Sequence, residues 1–326
     1  MDTDAKRLRE IILDLPKQLV TALACQGDAL PVVDKFIVCG MGGSALAAGL
    51  MKVYRPELDL LIHRDYGLPR VPAYFLHDSL LILSSYSGNT EEVLDTLQTA
   101  LTRELKVVIL ASGGALLAEA KRLNLPHLVL PAGLPPRQAV GYFFVALSTI
   151  FKADSDLEAL RQMALVLQPV AWESTGQRLA GLIGERLPII YTSTPNYYLG
   201  YNWKIRFNED SKTPAFCNVL PEMNHNELAA TPMSGGSSAN FFYIFLRDPA
   251  DDPRIQNRFK WQKEMFEKRG LIVEEVPLAG GSSLTKIFNA VILADWTAYY
   301  LALAKGQDPV EVPTIEEFKK QIKTTL

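Results

Sequence analysis

Apolar residues fall along this chain in two rhythms. Short compact runs at Lys35–Cys39, Leu58–His63, Leu80–Leu83, Lys106–Leu110 and His127–Leu130 each end in a turn and give way to a segment with helical spacing. Runs that are apolar throughout, rather than alternating, mark strands covered on both faces. They predict a mostly parallel sheet in a three-layer α/β/α arrangement, with ligands at the carboxyl ends of the strands. Ahead of them, Leu8, Ile11, Ile12, Leu15 and Leu19 lie at helical spacing broken at Pro16, a leading helix pair or one kinked helix within residues 4–30. Residues 153–185 read as Leu- and Ala-rich helix. The strand rhythm then returns at Leu187–Thr192, Ala215–Val219, Phe241–Leu246 and Leu271–Val276, with helices over Tyr197–Glu209, Arg254–Lys268 and Leu284–Leu303. The pattern predicts an α/β fold repeated in tandem, with domains at 1–152 and 153–326.

Composition agrees with two cored domains. Of 326 residues, 48% are hydrophobic and 21% charged, enough apolar surface for proper cores. A net charge of −3 with scattered Lys and Arg gives no bulk attraction for nucleic acid. No unbroken apolar run reaches the ~18 residues that span a bilayer, and the N-terminus alternates charged and apolar residues like an amphipathic helix, so the expected location is cytoplasmic. Cys25, Cys39 and Cys217 form no CxxC and leave an odd count, as reduced thiols do; the four histidines offer no metal spacing, and no metal or cofactor is expected.

Three turns of the first half are rich in Gly or Ser. The run Leu80–Glu92, LLILSSYSGNTEE, delivers Ser84, Ser85, Ser87 and Thr90 to a helix start, where free N–H groups and the helix dipole favour an anion; ordinary capping accounts for such a turn equally well. Gly40–Ser44, GMGGS, lets the backbone approach a ligand through Gly42 and Gly43, with Ser44 near the helix start. It is not the GxGxxG of a dinucleotide site. ASGGA at 111–115 forms the third turn. Arg137, beside Pro135 and Pro136, opens a helix carrying Val140, Phe143, Phe144 and Leu147.

In the second half, NEDSKTP (208–214) and LPEMNHNE (220–227) gather acids, amides and a histidine on either side of one strand. A glutamate and a histidine suit a base that moves a carbon-bound proton and a group that handles a sugar oxygen. A proton-abstraction site near a phosphate grip points to sugar-phosphate chemistry, and no GxSxG elbow supports acyl transfer.

Together GMGGSA, SYSGNTEE, ASGGAL, PRQAVGYFF, NEDSKTPAF, LPEMNHNE and IEEFKKQI resemble the tandem sugar isomerase (SIS) domain family of bifunctional phosphoglucose/phosphomannose isomerases, in order from about residue 35 to the C-terminus. The resemblance implies two SIS-type α/β/α domains and a cofactor-free aldose–ketose isomerase. Its substrates would be glucose 6-phosphate and mannose 6-phosphate, interconverted with fructose 6-phosphate through a cis-enediol. It implies a 6-phosphate held by Gly42, Gly43, Ser44, Ser85, Ser87 and Thr90, and Glu209 as the base between C1 and C2. Arg137 would lie against the enediolate. His225 would open the ring and come from the neighbouring subunit of a homodimer. A C-terminal lysine would assist: Ile315, Phe318 and Ile322 mark an inner helical face that takes Lys319 rather than Lys320. A threonine near C2 is also implied, with Val310 and Thr314 as the nearby positions. A non-catalytic sugar-phosphate-binding SIS regulator and a glutaminase-fed synthase are the rival classes. The first pairs its grip with a DNA-binding head and the second needs an N-terminal cysteine nucleophile, neither of which is found in this sequence.

Overall fold

The computed structural model of the chain describes residues 3–231 and 240–323. The chain forms two compact units, the first from residues 14–167 and 280–287, the second from 1–13, 168–279 and 288–326.

The first unit is built on five parallel strands, β1 Lys35–Gly40, β2 Asp59–His63, β3 Ser79–Ser84, β4 Val107–Ala111 and β5 His127–Val129, in the order β2-β1-β3-β4-β5. Every residue of β3 and β4 is buried, which is why these strands read as unbroken apolar runs. One face of the sheet packs Ile37, Leu81, Leu83 and Ile109 against Leu97 and Leu116 of the helices Glu91–Thr102 and Gly114–Arg122. The helices Gly42–Tyr54 and Val140–Ile150 pack on each other, and both are buried over most of their length. Because the chain leaves β1 for β2 on one side and leaves β3 for β4 on the other, these crossovers run in opposite directions from the β1/β3 boundary. A crevice opens there at the carboxyl ends of the strands, the place where open α/β sheets bind ligands.

The second unit repeats this order with four parallel strands, β6 Leu187–Ser193, β7 Phe216–Leu220, β8 Phe241–Arg247 and β9 Ile272–Pro277, arranged β7-β6-β8-β9. Its core is aromatic, with Tyr191, Tyr243, Phe245, Phe259 and Phe266 in one cluster. The helix Tyr197–Glu209 joins β6 to β7 and therefore ends near the amino end of β7.

Three segments differ from the sequence reading. Leucine-rich 153–185 is two helices, Asp154–Val166 and Glu173–Ile183, separated by a 3₁₀ turn at Pro169–Trp172. Arg137 lies in a 3₁₀ turn, Pro136–Gln138, and the α-helix begins only at Val140. The helix Ser283–Ala304 is long and apolar enough to cross a bilayer, with mean hydropathy 1.4, although polar residues interrupt any unbroken run; 78% of its most apolar stretch is buried within the protein, as in a core helix.

Candidate active site

In the first unit the glycine and serine turns follow β1 and β3, which are neighbours, so both stand at the crevice. They are bonded to each other: Ser84 Oγ donates to the Ser44 carbonyl at 2.7 Å, and the Tyr86 N–H donates to Ser44 Oγ at 3.0 Å. Ser85 is fully buried, and its hydroxyl serves the turn itself, sharing a 2.7 Å bond with Thr90 Oγ1 and accepting from the Gly88 N–H at 3.1 Å. Ser87 is exposed, Thr90 partly exposed, and Ser44 is 7% exposed. The third turn braces the second. Ser112 Oγ donates to the Tyr86 carbonyl at 2.6 Å, and the Ala115 N–H donates to Asn89 Oδ1 at 3.0 Å.

Gly42 stands at the mouth of the first turn in the left-handed region, φ +47°, and a methyl group added there would touch nothing within 4 Å. Gly43 is the opposite case: its added methyl would lie 2.5 Å from the backbone nitrogen of Arg137. The helix Gly42–Tyr54 therefore meets the Arg137 turn backbone to backbone. From the other side, Gln18 brackets the junction, donating to the Gln138 carbonyl at 2.9 Å and accepting from the Gly141 N–H at 3.1 Å. Arg137 is 1% exposed, a side chain held inside the fold rather than in solvent. Proline on both preceding positions fixes the approach to this turn, which explains why a short arginine-bearing 3₁₀ segment stands where a helix was expected.

In the second unit Glu209 is the last residue of its helix and lines a cavity of about 610 Å³, with Asn208, Lys212, Glu311, Thr314 and Ile315 also on its walls. Thr314 thus lines the same cavity as Glu209, whereas Val310 is buried. Lys319 stands on the C-terminal helix Pro313–Lys323, exposed and paired with Glu316 at 2.7 Å. The apolar face expected to be internal is on the surface, with Ile315 40% and Phe318 62% exposed. Lys319 and Lys320 are both exposed, so the chain's own packing does not distinguish them.

His225 is exposed at the end of a 3₁₀ turn, Glu222–His225, whose neighbours are firmly tied. Asn224 donates to Gln262 Oε1 at 2.9 Å, Met223 is buried, and Glu227 accepts from the Tyr191 hydroxyl at 2.8 Å and from the Asn218 amide. Burial, and then the Glu227 carboxylate, push the Tyr191 phenol well above its ordinary value, so it remains a donor. Glu209 precedes the amino end of β7 and His225 follows its carboxyl end, so the two are separated along the sheet by a five-residue strand, roughly 15 Å at about 3.3 Å per residue.

A relative from Caldicellulosiruptor bescii named bifunctional phosphoglucose/phosphomannose isomerase is 30% identical over 336 residues, covering 96% of this chain and 98% of its own length. The chain belongs to the bifunctional phosphoglucose/phosphomannose isomerase family. Another family member, from Thermoplasma volcanium and carrying the same name, is 31% identical over 89% of this chain and 91% of its own. The sequence pattern of the bacterial phospho-glucose isomerase C-terminal SIS domain matches residues 173–322, which hold Glu209, His225 and Lys319. The similarity of fold extends over both units. A hypothetical protein of Thermus thermophilus superposes with a TM-score of 0.70 at 16% identity, over 99% of this chain and 88% of that one.

Among the described residues no group of three or more His, Cys, Asp or Glu side chains is arranged to hold a metal. Gln18, Lys212, Tyr191 and Glu227 were not among the residues singled out from the sequence. Each acts through a long-range or turn-specific bond that leaves no periodic signal, and only Lys212 and Glu227, inside the quoted NEDSK and NHNE strings, carried any hint.

Proposed function

We propose that this protein interconverts glucose 6-phosphate and mannose 6-phosphate with fructose 6-phosphate by moving a proton between C1 and C2 through a cis-enediol. The observation that carries the reading is Glu209, a carboxylate on the wall of a cavity large enough for a hexose, in a chain of this isomerase family. Glu209 takes the proton from one carbon and returns it to the other. Arg137, a permanent cation held out of water, offsets the negative charge that develops on the enediolate.

The phosphate is assigned to the turn Gly42, Gly43 and Ser44, with Ser85, Ser87 and Thr90. Electrostatics favours the first of these turns. The helix starting at Gly42 has no acid in its first turn, whereas Glu91 and Glu92 already occupy the first turn of the next helix and repel a dianion. Ser85 contributes by shaping the serine turn, since its hydroxyl is engaged within it. His225 opens the sugar ring, and Lys319 assists.

The separation along β7 supports a homodimer. A His225 that lies past one end of the strand and a Glu209 that lies before the other do not converge on one six-carbon substrate within a chain, so His225 serves the site of a second copy. Free thiols at Cys25, Cys39 and Cys217, with burial pushing Cys39 up to about 12, suit a reducing compartment, and we place the protein in the cytoplasm.

The test is Glu209→Gln, assayed by coupling fructose 6-phosphate formation to a dehydrogenase. Turnover should fall by about three orders of magnitude while sugar-phosphate binding persists. Wild-type protein in D₂O should place deuterium at C2 of recovered glucose 6-phosphate. A Gln variant with near-normal kcat removes Glu209 from the role, and turnover without exchange replaces proton transfer by hydride transfer.

A further inference from the structure

Lys212 follows Glu209 by three residues, at φ +52°, so that the chain turns back sharply after the helix. Its ammonium donates to the carbonyl oxygens of Glu209 at 2.9 Å and Asp210 at 3.3 Å. A cation there meets the negative end of the helix dipole and satisfies carbonyls that have no partner further along the helix. The same nitrogen also donates to the carbonyl oxygen of Asp308. Asp308 is itself a fixed block, since its Oδ1 accepts from the N–H groups of Val310 at 2.7 Å and Glu311 at 3.1 Å. One ammonium therefore joins the two strings of residues that wall the cavity, 208–214 on one side and 307–315 on the other. A lysine that bound substrate would have to give up these carbonyls, so its donors serve the backbone.

We infer that Lys212 is a positioning residue for the isomerisation, clamping the end of the Glu209 helix to the 308–315 segment and thereby setting where the Glu209 carboxylate stands in the cavity. This rests on Glu209 being the base. The same clamp sets the start of the helix that bears Lys319, because Pro313 and Thr314 follow directly on the Asp308 turn.

The experiment compares Lys212→Met, which keeps the stem and loses the donors, with Lys212→Arg, which keeps charge and donors. Steady-state kinetics on glucose 6-phosphate are measured beside amide hydrogen exchange. Loss of the clamp displaces the base by a fraction of an ångström to about 1 Å, so kcat of the Met variant should fall by up to about 100-fold with KM unchanged, because the phosphate ligands lie elsewhere. Amides of Val310, Glu311, Val312, Thr314 and Ile315 should exchange faster while those of the strand Phe241–Arg247 do not, and Arg should restore most of kcat. Wild-type kcat in Lys212→Met overturns the inference, and so does a uniform rise in exchange across the strand and the cavity wall, the mark of general destabilisation. The Glu209→Gln result separates the two readings. If Gln retains turnover the base assignment falls, whereas if Gln is inactive and Lys212→Met is normal, only the clamp falls.

Discussion

Gly43 meets the turn that carries Arg137 backbone to backbone, and that contact gives the most stringent test of how the two are coupled. In Gly43→Ala the new methyl would stand 2.5 Å from the Arg137 nitrogen and 2.7 Å from the Arg137 Cα and the Pro136 carbonyl carbon. Ordinary contact begins near 3.5 Å, so about 1 Å of separation must be created. All three atoms are backbone, in a turn that begins at Pro136, directly after Pro135, and is bracketed by the buried Gln18, so no flexible side chain can swing aside. Overpacking of this kind costs about 1–3 kcal/mol, which for a unit of this size lowers Tm by roughly 2–4 °C per kcal/mol. Activity should suffer more, because a displacement of about 1 Å at a catalytic group costs on the order of 100-fold. In the coupled isomerase assay Gly43→Ala should lose kcat, since the Arg137 turn is what moves. Gly42→Ala is the informative partner. Its methyl meets nothing, but it projects at the open mouth and strains a φ of +47°, so KM should rise more than kcat falls. A Gly43→Ala enzyme with Tm within about 1 °C and kcat within about twofold of wild type would refute the argument, because the turn would then have room that the backbone contacts deny.

Two further outcomes concern stability. Arg206 Nε and Asp295 Oδ1 lie 2.6 Å apart with both side chains essentially buried, so Arg206→Met should cost about 3–5 kcal/mol in urea unfolding and the double change Arg206→Met with Asp295→Leu distinctly less; equal losses would mean the pair's charges are not what matters. Glu173 is held below its ordinary carboxylate value first by the Arg9 hydrogen bond, at 2.9 Å, and also by the Tyr300 hydroxyl. A lowered folded value gives stability that is present above about pH 4.5 and lost as pH falls through that folded value. Since Arg9 is partly exposed, the effect is at most about 1 kcal/mol. Tm of wild type and Glu173→Gln, followed from pH 6 to pH 3, should converge on acidification, and a gap that stays constant would contradict the assignment.

Much of the scaffold was legible because parallel strands covered on both faces must be apolar throughout. Among the described residues, all nine strands stand where compact runs predicted them, within about a residue or two at each end. What periodicity could not convey is where a face finds its partner. Ile315, Phe318 and Ile322 do form one stripe of the C-terminal helix, yet Ile315 and Phe318 are exposed, because a stripe records amphipathicity and not the surface it meets. The serine turn was visible as a cluster of hydroxyls, but which of them turns inward depends on Thr90 and Gly88 closing around Ser85. Arg137 reads in the sequence as the opening of a helix, whereas it stands in a 3₁₀ turn pressed against the backbone of Gly43, a contact between distant segments that no local pattern records. Lys212 belongs to the same class, since its meaning lies in a carbonyl 96 residues away.

Each unit has the same order over its first four strands and so an equivalent crevice position of its own, but the two positions are differently occupied. In the first, the β1/β3 boundary ends in an open glycine turn. In the second, the corresponding β6/β8 boundary already holds a carboxylate: Asp248, 4% exposed, accepts from Asn196 Nδ2 at 3.0 Å and from the Ala250 N–H at 3.0 Å, while Asn196 also donates to Ser193 Oγ. An anion cannot enter a crevice whose amide donor is committed to an internal anion without displacing it, and like charge opposes that exchange. On the proposed reading, phosphate recognition is assigned to the first unit. The same reading assigns the proton chemistry to the second unit away from that crevice, and the proposed base Glu209 agrees with it, standing at the far end of a crossover helix near the amino end of β7.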